Sequence, residues 1–343
     1  MSTTETAAIS SDPSAEIQDS IMTIAEEMPS PLSSIPHDYT KRLMVFGGRA
    51  SREQAARIAT KLDVDLGQVT LKTFADGEVY CRYEESIRGA DVFLIQPMCG
   101  NPETGISTND ALMELLVMID AAIGASAHRV IAVTPWYGYS RQDKKSAPRE
   151  PITARLVAKT LEVAGIDRLV AMDLHAGQMQ GFFSKTVDHM TARPILSQYV
   201  SDQLGPADDL VIISPDAGRV KLTRKFAQKV GAPYALLEKE RPAQQVAEIG
   251  YVIGEVAGKR AVIVDDIIDT GGTLAAAAQT VLDEGAREVY AVATHGIFSG
   301  RAFETLSASP LSGITVTDTV PLRRGAPDLI RQLTCVDILE DTV

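Results

Sequence analysis

Cysteine is scarce in this chain: Cys81, Cys99 and Cys335 are the only three among 343 residues. They form no CxxC pair and no zinc-ligand spacing, which argues against a cysteine metal site or a disulfide framework. An odd count with no secretion signal fits a reducing compartment and buried or free thiols, so a cytoplasmic location is expected. Positive charge is also short. Lys and Arg number 33 against 45 Asp and Glu, leaving a net charge of -12. Nucleic acid is therefore not an expected partner, because binding to a phosphate backbone needs clustered cations. A local basic site for small phosphates stays open. Uncharged apolar runs of membrane-spanning length are missing, and no membrane partner is expected. The best candidate, "ALMELLVMIDAAIGASA", is interrupted by Glu114 and Asp120. The first 40 residues contain no Lys or Arg, seven acids, and Pro13, Pro29, Pro31 and Pro36. That composition is not a signal or transit peptide, and residues 1–40 read as a disordered acidic tail.

Hydrophobic residues make up 45% of the chain, enough for large buried cores. From Lys41 onward short apolar runs recur: "LMVFGG", "DVFLIQP", "RVIAVTP", "RLVAMDLH", "DLVIISPDAG", "AVIVDD" and "EVYAVATHG". Helical patterns lie between several of them. "PITARLVAKTLEVAG" carries Pro151 in a first-turn position and Gly165 at a C-terminal stop, and "TLAAAAQTVLDEG" stops at Gly285 in the same way. Continuous apolar strands alternating with helices predict α/β architecture, with mostly parallel sheets covered on both faces. The alternation is too long for one sheet of usual size. Two α/β halves are expected, 41–190 and 191–343, with the break near residues 188–195. The unusual polar residues follow the apolar runs, at the carboxyl edge of a parallel sheet, where ligands bind.

The stretch "VIVDDIIDTGGTL", Val262 to Leu274, is the most informative. A strand delivers Asp265 and Asp266 to the sheet edge, Asp269 follows, and Thr270, Gly271, Gly272 and Thr273 open a helix. Helix N-terminal amides and a glycine turn bind anions. The carboxylates would repel a phosphate, so they suit ribose hydroxyls or Mg²⁺. A sugar phosphate presents a phosphate and a diol together, and the loop reads as a pentose-phosphate site. The plainer alternative is an acidic surface turn before a helix. No GxxxxGK[ST] occurs, so neither a Walker A nor a protein-kinase loop is present.

The loop resembles the signature of type I phosphoribosyltransferases and of the related ribose-phosphate pyrophosphokinases. Five further stretches choose between them: "FADGE" (Phe74 to Glu78), "YGYSRQDKK" (Tyr137 to Lys145), "MDLHAGQMQGFF" (Met172 to Phe183), "SPDAGRV" (Ser214 to Val220) and "EKERP" (Glu238 to Pro242). All stand in the order and spacing of the ribose-phosphate pyrophosphokinase family, and the resemblance runs from about Leu43 to about Thr319. It implies two type I phosphoribosyltransferase-like domains, each a mostly parallel sheet flanked by helices. The N-terminal one would carry the ATP side and oligomer contacts, the C-terminal one the ribose 5-phosphate loop and a mobile catalytic loop. The implied reaction is transfer of a diphosphoryl group from Mg-ATP to ribose 5-phosphate, in the service of nucleotide biosynthesis.

The resemblance assigns Arg141, Gln142 and His175 to ATP, along with Phe74, Asp76, Gly77 and Glu78 reaching a neighbouring subunit. It assigns Asp265, Asp266, Asp269, Thr270, Gly271, Gly272, Thr273 and Arg241 to ribose 5-phosphate, and Lys239 and Arg241 to catalysis. The residue types suit these roles. Arg141 and Gln142 offer a cationic fork and an amide, and Phe74 offers a stacking face. His175 and Asp216, both at strand ends, suit Mg²⁺ directly or through water, with Asp173 as a lesser ligand. Lys239 and Arg241 on a closing loop would bring positive charge to the transferring group. Taken singly, each stretch also reads as a charged turn. The family assembles as a homo-oligomer, usually a hexamer built from dimers.

The chain departs from its relatives in places. Ser184 stands where an acid often follows "GFF", though Asp188 is retained, and Arg219 stands where a second glycine is common. The loop from Cys99 to Asp110 is long. Ser86 and Arg88 match a regulatory phosphate site, but Asp318 replaces a usual asparagine and the chain stops early, so little activation by phosphate is expected. A phosphoribosyltransferase would leave "RQDKK", "DLHA" and "KER" without a role. A non-catalytic regulatory homologue should have lost catalytic cations or loop acids, and here they remain.

Overall fold

The computed structural model describes residues 42–340 except 244–245, and within 239–250 it describes no side chains. The expected acidic tail, residues 1–40, lies outside the described residues. A five-stranded, fully parallel sheet runs in the order β1 (Leu43–Gly47), β4 (Asp91–Ile95), β5 (Arg129–Thr134), β6 (Arg168–Met172), β7 (Thr186–Met190). Its helices are α1 (Arg52–Lys61), α2 (Thr108–Gly124) and α3 (Thr153–Ala164). A separate antiparallel hairpin, β2 (Val69–Thr73) and β3 (Val79–Tyr83), is inserted between α1 and β4.

After α4 (Arg193–Gln203) comes a seven-stranded sheet. Its order is β10 (Val246–Ile253), β9 (Tyr234–Ala243), β8 (Leu210–Ser214), β11 (Arg260–Ile268), β12 (Glu288–Gly296), β13 (Gly313–Thr317), β14 (Ile330–Leu333). All pairings are parallel except β9 with β10. Helices α5 (Val220–Val230), α6 (Gly272–Asp283), α7 (Ala302–Ser307) and α8 (Val336–Glu340) accompany it.

The strands form where the apolar runs are, because each is buried on both faces. Ala132, Val133, Ile212, Ile213, Val262 and Ile263 are all at most 1% exposed. One apolar cluster is shared by the sheets. It joins Val45, Ile95, Val133 and Met172 to Leu210, Ile212, Val264 and Val292, with Phe226 of α5 and Leu196 of α4. Gly165 ends α3 in a left-handed conformation at φ 114°, as its position predicts. The apolar run around Glu114 becomes α2, capped by Ser107 and Asp110 in a reciprocal box. Glu114 is fully buried and accepts from the Arg49 amide and guanidinium and from Gln96 Nε2. Among the described residues no helix is long and apolar enough to cross a membrane. The three cysteines are free thiols, and desolvation pushes Cys99 up to about 12, which keeps it protonated and inert.

The Ser184 departure has a local explanation. Glu162 of α3 accepts from Lys159 Nζ at 2.7 Å, the Ser184 hydroxyl at 2.8 Å, and the amides of Ser184 and Lys185. An acid at position 184 would face that carboxylate. Asp188 pairs with Arg168 at 2.9 Å. Partial desolvation opposes ionisation of Glu162, but these donors outweigh it and hold its pKa at about 2, below the ordinary 4.5. The stability it contributes is present above about pH 4.5 and lost as pH falls toward 2. Glu162→Gln should therefore lower the unfolding temperature at pH 7, with the gap to the parent closing as pH falls through that window. Thermal unfolding followed by circular dichroism checks it; a gap independent of pH would mean that shape, not charge, is at stake.

Candidate functional site

Strand β11 lies between β8 and β12, and its pairing with β8 stops at Ile263. The strand continues to Ile268, so its last residues run past the end of β8. Asp265 and Asp266 stand on this overhang, beside the turn that leaves β8 through Ser214, Asp216 and Arg219. Asp266 is 5% exposed and Asp265 about a third exposed at its side chain. Two adjacent carboxylates, one buried and one partly exposed, need compensation. Arg219 supplies it: Nη2 lies 2.7 Å from Asp266 Oδ2 and Nε 3.5 Å from Asp265 Oδ1.

His175, just past β6, joins the same group. Its Nδ1 is 2.7 Å from Asp266 Oδ2 and 2.9 Å from Arg219 Nη2. With the proton on Nδ1 donated to Asp266, Nε2 keeps a lone pair for a metal or a phosphate proton. Desolvation opposes ionisation of Asp266, but hydrogen bonding from His175 and Asp265 and the Arg219 charge hold its pKa well below the usual range. Asp265 goes the other way, raised first by burial and then by the negative charge of Asp266. One acid of the pair is thus firmly ionised and the other is the readier proton acceptor. Asp216 caps the short turn after β8, its Oδ1 accepting from the Arg219 amide at 3.1 Å.

Beyond the overhang, Asp269 accepts from Arg141 Nη1, joining the segment after β5 to the segment after β11. Desolvation works against the charge of Asp269, but Ser299 and Arg141 lower its pKa overall. The helix α6 then starts on Gly271, whose φ is 80°. A Cβ there would meet the Leu306 side chain at 2.7 Å. Gly272 differs: a Cβ built on it meets nothing within 4 Å. The first, uncapped turn of α6 therefore opens onto free space. Thr270 and Thr273 flank it, both exposed. Free amides, hydroxyls and room together suit a phosphate.

Other expected site residues fall as follows. Asp173 reaches the edge with a positive φ of 34°, but its Oδ2 already accepts from the Ala192 amide and the Thr294 hydroxyl. Its carbonyl accepts from His295 Nε2 at 3.2 Å. Gln142 is exposed, and its Oε1 accepts from Thr153. Residues Phe74 to Glu78 form the exposed tip of the β2–β3 hairpin. Their contacts stay within the hairpin, including Glu78 N to Asp76 Oδ1 and an edge-on contact of Phe74 with Tyr80. Within one chain this tip does not join the carboxylate cluster. Ser86 and Arg88 are exposed on the segment between β3 and β4. Lys239 and Arg241 are the residues expected on a mobile loop. Their backbones belong to β9, paired antiparallel with β10, because the chain after Leu237 extends the sheet edge. Their side chains lie outside the described residues.

His295, Thr294 and Trp136 join the site without having been expected there. His295 is 1% exposed, bonds Thr319 through Nδ1, and packs with its ring tilted against Trp136 at 4.7 Å between centroids. Together they tie the end of β6 to the end of β12. The "THG" ending the β12 run was the only signal, and it carries no chemistry by spacing. Arg219 was visible only as a departure. Among the described residues no group of three or more His, Cys, Asp or Glu gathers to hold a metal ion alone. Asp216 and His175 offer two protein ligands. That number suits Mg²⁺, which binds through few protein ligands and keeps waters and substrate phosphates.

Known proteins are similar to this chain in sequence and in fold. A family model described as the N-terminal domain of ribose phosphate pyrophosphokinase matches residues 43–165, and one described as the phosphoribosyl synthetase-associated domain matches residues 215–339. A ribose-phosphate pyrophosphokinase of Caldanaerobacter subterraneus subsp. tengcongensis is 50% identical over 285 residues, covering 83% of this chain and 88% of its own. That of Gloeobacter violaceus is 46% identical over 307 residues, covering 88% and 90%. The crystal structure of phosphoribosylpyrophosphate synthetase from Mycobacterium smegmatis overlays with a TM-score of 0.82 at 41% identity, covering 88% of this chain and 97% of that one.

The paired glycines separate fold from binding. Gly271→Ala should destabilise the protein by about 1–3 kcal/mol through left-handed strain and the Leu306 clash. Gly272→Ala should change stability by less than about 1 kcal/mol yet weaken phosphate binding at the helix start. Denaturant unfolding and calorimetric titration with inorganic phosphate read the two effects; unchanged binding in Gly272→Ala would remove that helix start from the site.

Proposed function

The chain belongs to the ribose-phosphate pyrophosphokinase family and is an enzyme of that class; on that premise we propose that it transfers the diphosphoryl group of Mg-ATP to the anomeric hydroxyl of D-ribose 5-phosphate. The products are 5-phospho-α-D-ribose 1-diphosphate, for nucleotide biosynthesis, and AMP. The observation that carries the reading is the continuity of β11, carboxylates and glycine helix start, with Arg141 bonded to Asp269 from the other sheet. Asp265, Asp266 and Asp269 accept from the sugar hydroxyls. The amides from Gly271 onward and the hydroxyls of Thr270 and Thr273 take the 5-phosphate. Arg141, Gln142 and His175 face ATP on the neighbouring edge.

The ribose oxygen forms a bond to the β-phosphorus as the bond to the oxygen bridging the α-phosphorus breaks in line. No covalent enzyme intermediate is needed, so the protein contributes positioning and charge. Lys239 and Arg241, at the outer end of β9, would bring cations to the transferring group as β9 and β10 close over the site. Asp216 and His175 would hold Mg²⁺, which neutralises phosphate charge. Asp173 has a carboxylate oxygen committed to Ala192 and Thr294 and supports the edge. The exposed hairpin tip, Phe74 to Glu78, finds its use against the ATP of a neighbouring subunit in a homo-oligomer, a hexamer built from dimers. The division of labour follows the two sheets: residues 41–190 serve ATP, residues 191–343 serve ribose 5-phosphate.

The direct test is ³¹P NMR of the products from Mg²⁺, ATP and ribose 5-phosphate. AMP with a new pair of pyrophosphate doublets is expected; ADP would mean simple phosphoryl transfer and overturn the reading. Lys239→Ala should lose roughly 10³-fold in kcat, as with other cations that serve phosphoryl transition states, while its circular dichroism spectrum stays that of the parent. Near-normal turnover would remove Lys239 from its role.

A further inference from the structure

Arg219 bonds to more than the acid pair. Its amide is held in the turn after β8, donating to the Asp216 carbonyl at 3.2 Å and to Asp216 Oδ1 at 3.1 Å. From that anchor the side chain, 18% exposed, reaches the end of β11 and the segment after β6. Every guanidinium nitrogen is engaged. Nε lies 3.5 Å from Asp265 Oδ1, and Nη1 donates to the His175 carbonyl at 3.2 Å. Nη2 lies 2.7 Å from Asp266 Oδ2 and 2.9 Å from His175 Nδ1. A guanidinium keeps its proton across the working pH range, so this charge is permanent.

The place it fills is one that a divalent cation would otherwise suit. Asp265, Asp266 and His175 converge on it. Two acids beside a sugar phosphate repel that phosphate unless a cation stands with them. A metal bridging Asp266 and His175 here would need Asp266 Oδ2 and His175 Nδ1, the two atoms that Nη2 touches. Mg²⁺ would also need room for the waters it retains. The third acid, Asp269, is met in the same way by Arg141. Each acid proposed to hold the ribose thus has a protein cation against it. What remains for Mg²⁺ is the pair already proposed to hold it, Asp216 and the other ring nitrogen of His175.

We propose that Arg219 is a positioning residue that stands in for a second divalent cation in the ribose half of the site, so that ribose 5-phosphate binds without metal and Mg²⁺ is required only with ATP. The inference rests on the assignment of Asp265, Asp266 and Asp269 to ribose 5-phosphate. The guanidinium offsets the repulsion between the acid pair and the sugar phosphate. Its bonds also keep Asp266 and His175 in register as the sugar enters and leaves.

Two readouts on the whole protein, neither of them turnover, test it. The first is Mn²⁺ binding without nucleotide or sugar, counted by electron paramagnetic resonance. Arg219→Ala vacates the place and should bind one Mn²⁺ more per chain than the parent. Arg219→Lys keeps a cation there and should match the parent. The second is calorimetric titration with ribose 5-phosphate, once in EDTA and once in Mg²⁺. The parent should bind equally in both. Arg219→Ala should bind at least about 30-fold more weakly in EDTA, the loss expected on removing one partner of a buried charge pair, and should recover most of it in Mg²⁺. Arg219→Met, which keeps the stem and lacks the charge, carries the same expectations if Arg219→Ala is unstable. Unchanged Mn²⁺ stoichiometry in the neutral variants, or sugar binding by the parent that needs Mg²⁺, would overturn the role of Arg219 and leave the sugar assignment standing. A loss in Arg219→Ala that Mg²⁺ does not recover would make the residue merely structural and overturn it too. No sugar binding by the parent in either buffer would overturn the assignment itself, and this inference with it.

Discussion

Two adjacent carboxylates at the end of a strand are the constraint around which this molecule is arranged. Asp265 and Asp266 could not both face a half-buried edge without cations, since like charges and desolvation each oppose ionisation. Arg219 and His175 answer that problem from two different elements, the turn after β8 and the end of β6. The first follows a parallel neighbour of β11 that ends earlier, so its turn lies beside the overhang, and the second follows a strand of the other sheet. A parallel sheet makes this possible because every crossover returns the chain to the same edge.

The consequence is a site that draws on both sheets. Met172 leads into Asp173 and His175, and Met172 shares an apolar cluster with Val264, which leads into Asp265. His295, kept neutral by full burial, ties the Asp173 carbonyl to Thr319, and Arg141 reaches Asp269. Movement of one sheet against the other would break these bonds together. The two glycines differ. Gly271 is required by the backbone and by Leu306, whereas a Cβ at Gly272 would meet nothing within 4 Å.

Much of this was legible beforehand, for physical reasons. Doubly buried parallel strands such as β5 and β8 must be apolar throughout, and Gly165 marks a helix end by its left-handed turn, so both survive as sequence patterns. The acid-rich glycine loop was legible because strand, acids and helix start are contiguous. The extension of β9 and β10 was not, since an edge hairpin of mixed polarity has no distinctive period. Arg219 carried no motif of its own, and its role depends on His175, 44 residues away, and on Asp266. His295 looked like an ordinary strand residue until Asp173 and Trp136 met it in space.

Everything proposed for the loop rests on one division, carboxylates to the sugar and glycine helix start to the phosphate. Calorimetric titration of the parent protein with ribose 5-phosphate and with 2-deoxyribose 5-phosphate probes that division. The deoxy compound should bind about 10-fold to 100-fold more weakly, the cost of leaving a buried carboxylate without its donor, and Asp265→Asn should narrow the difference. Equal affinity of the two sugars for the parent would refute the division, because the acids would then have no hydroxyl to hold.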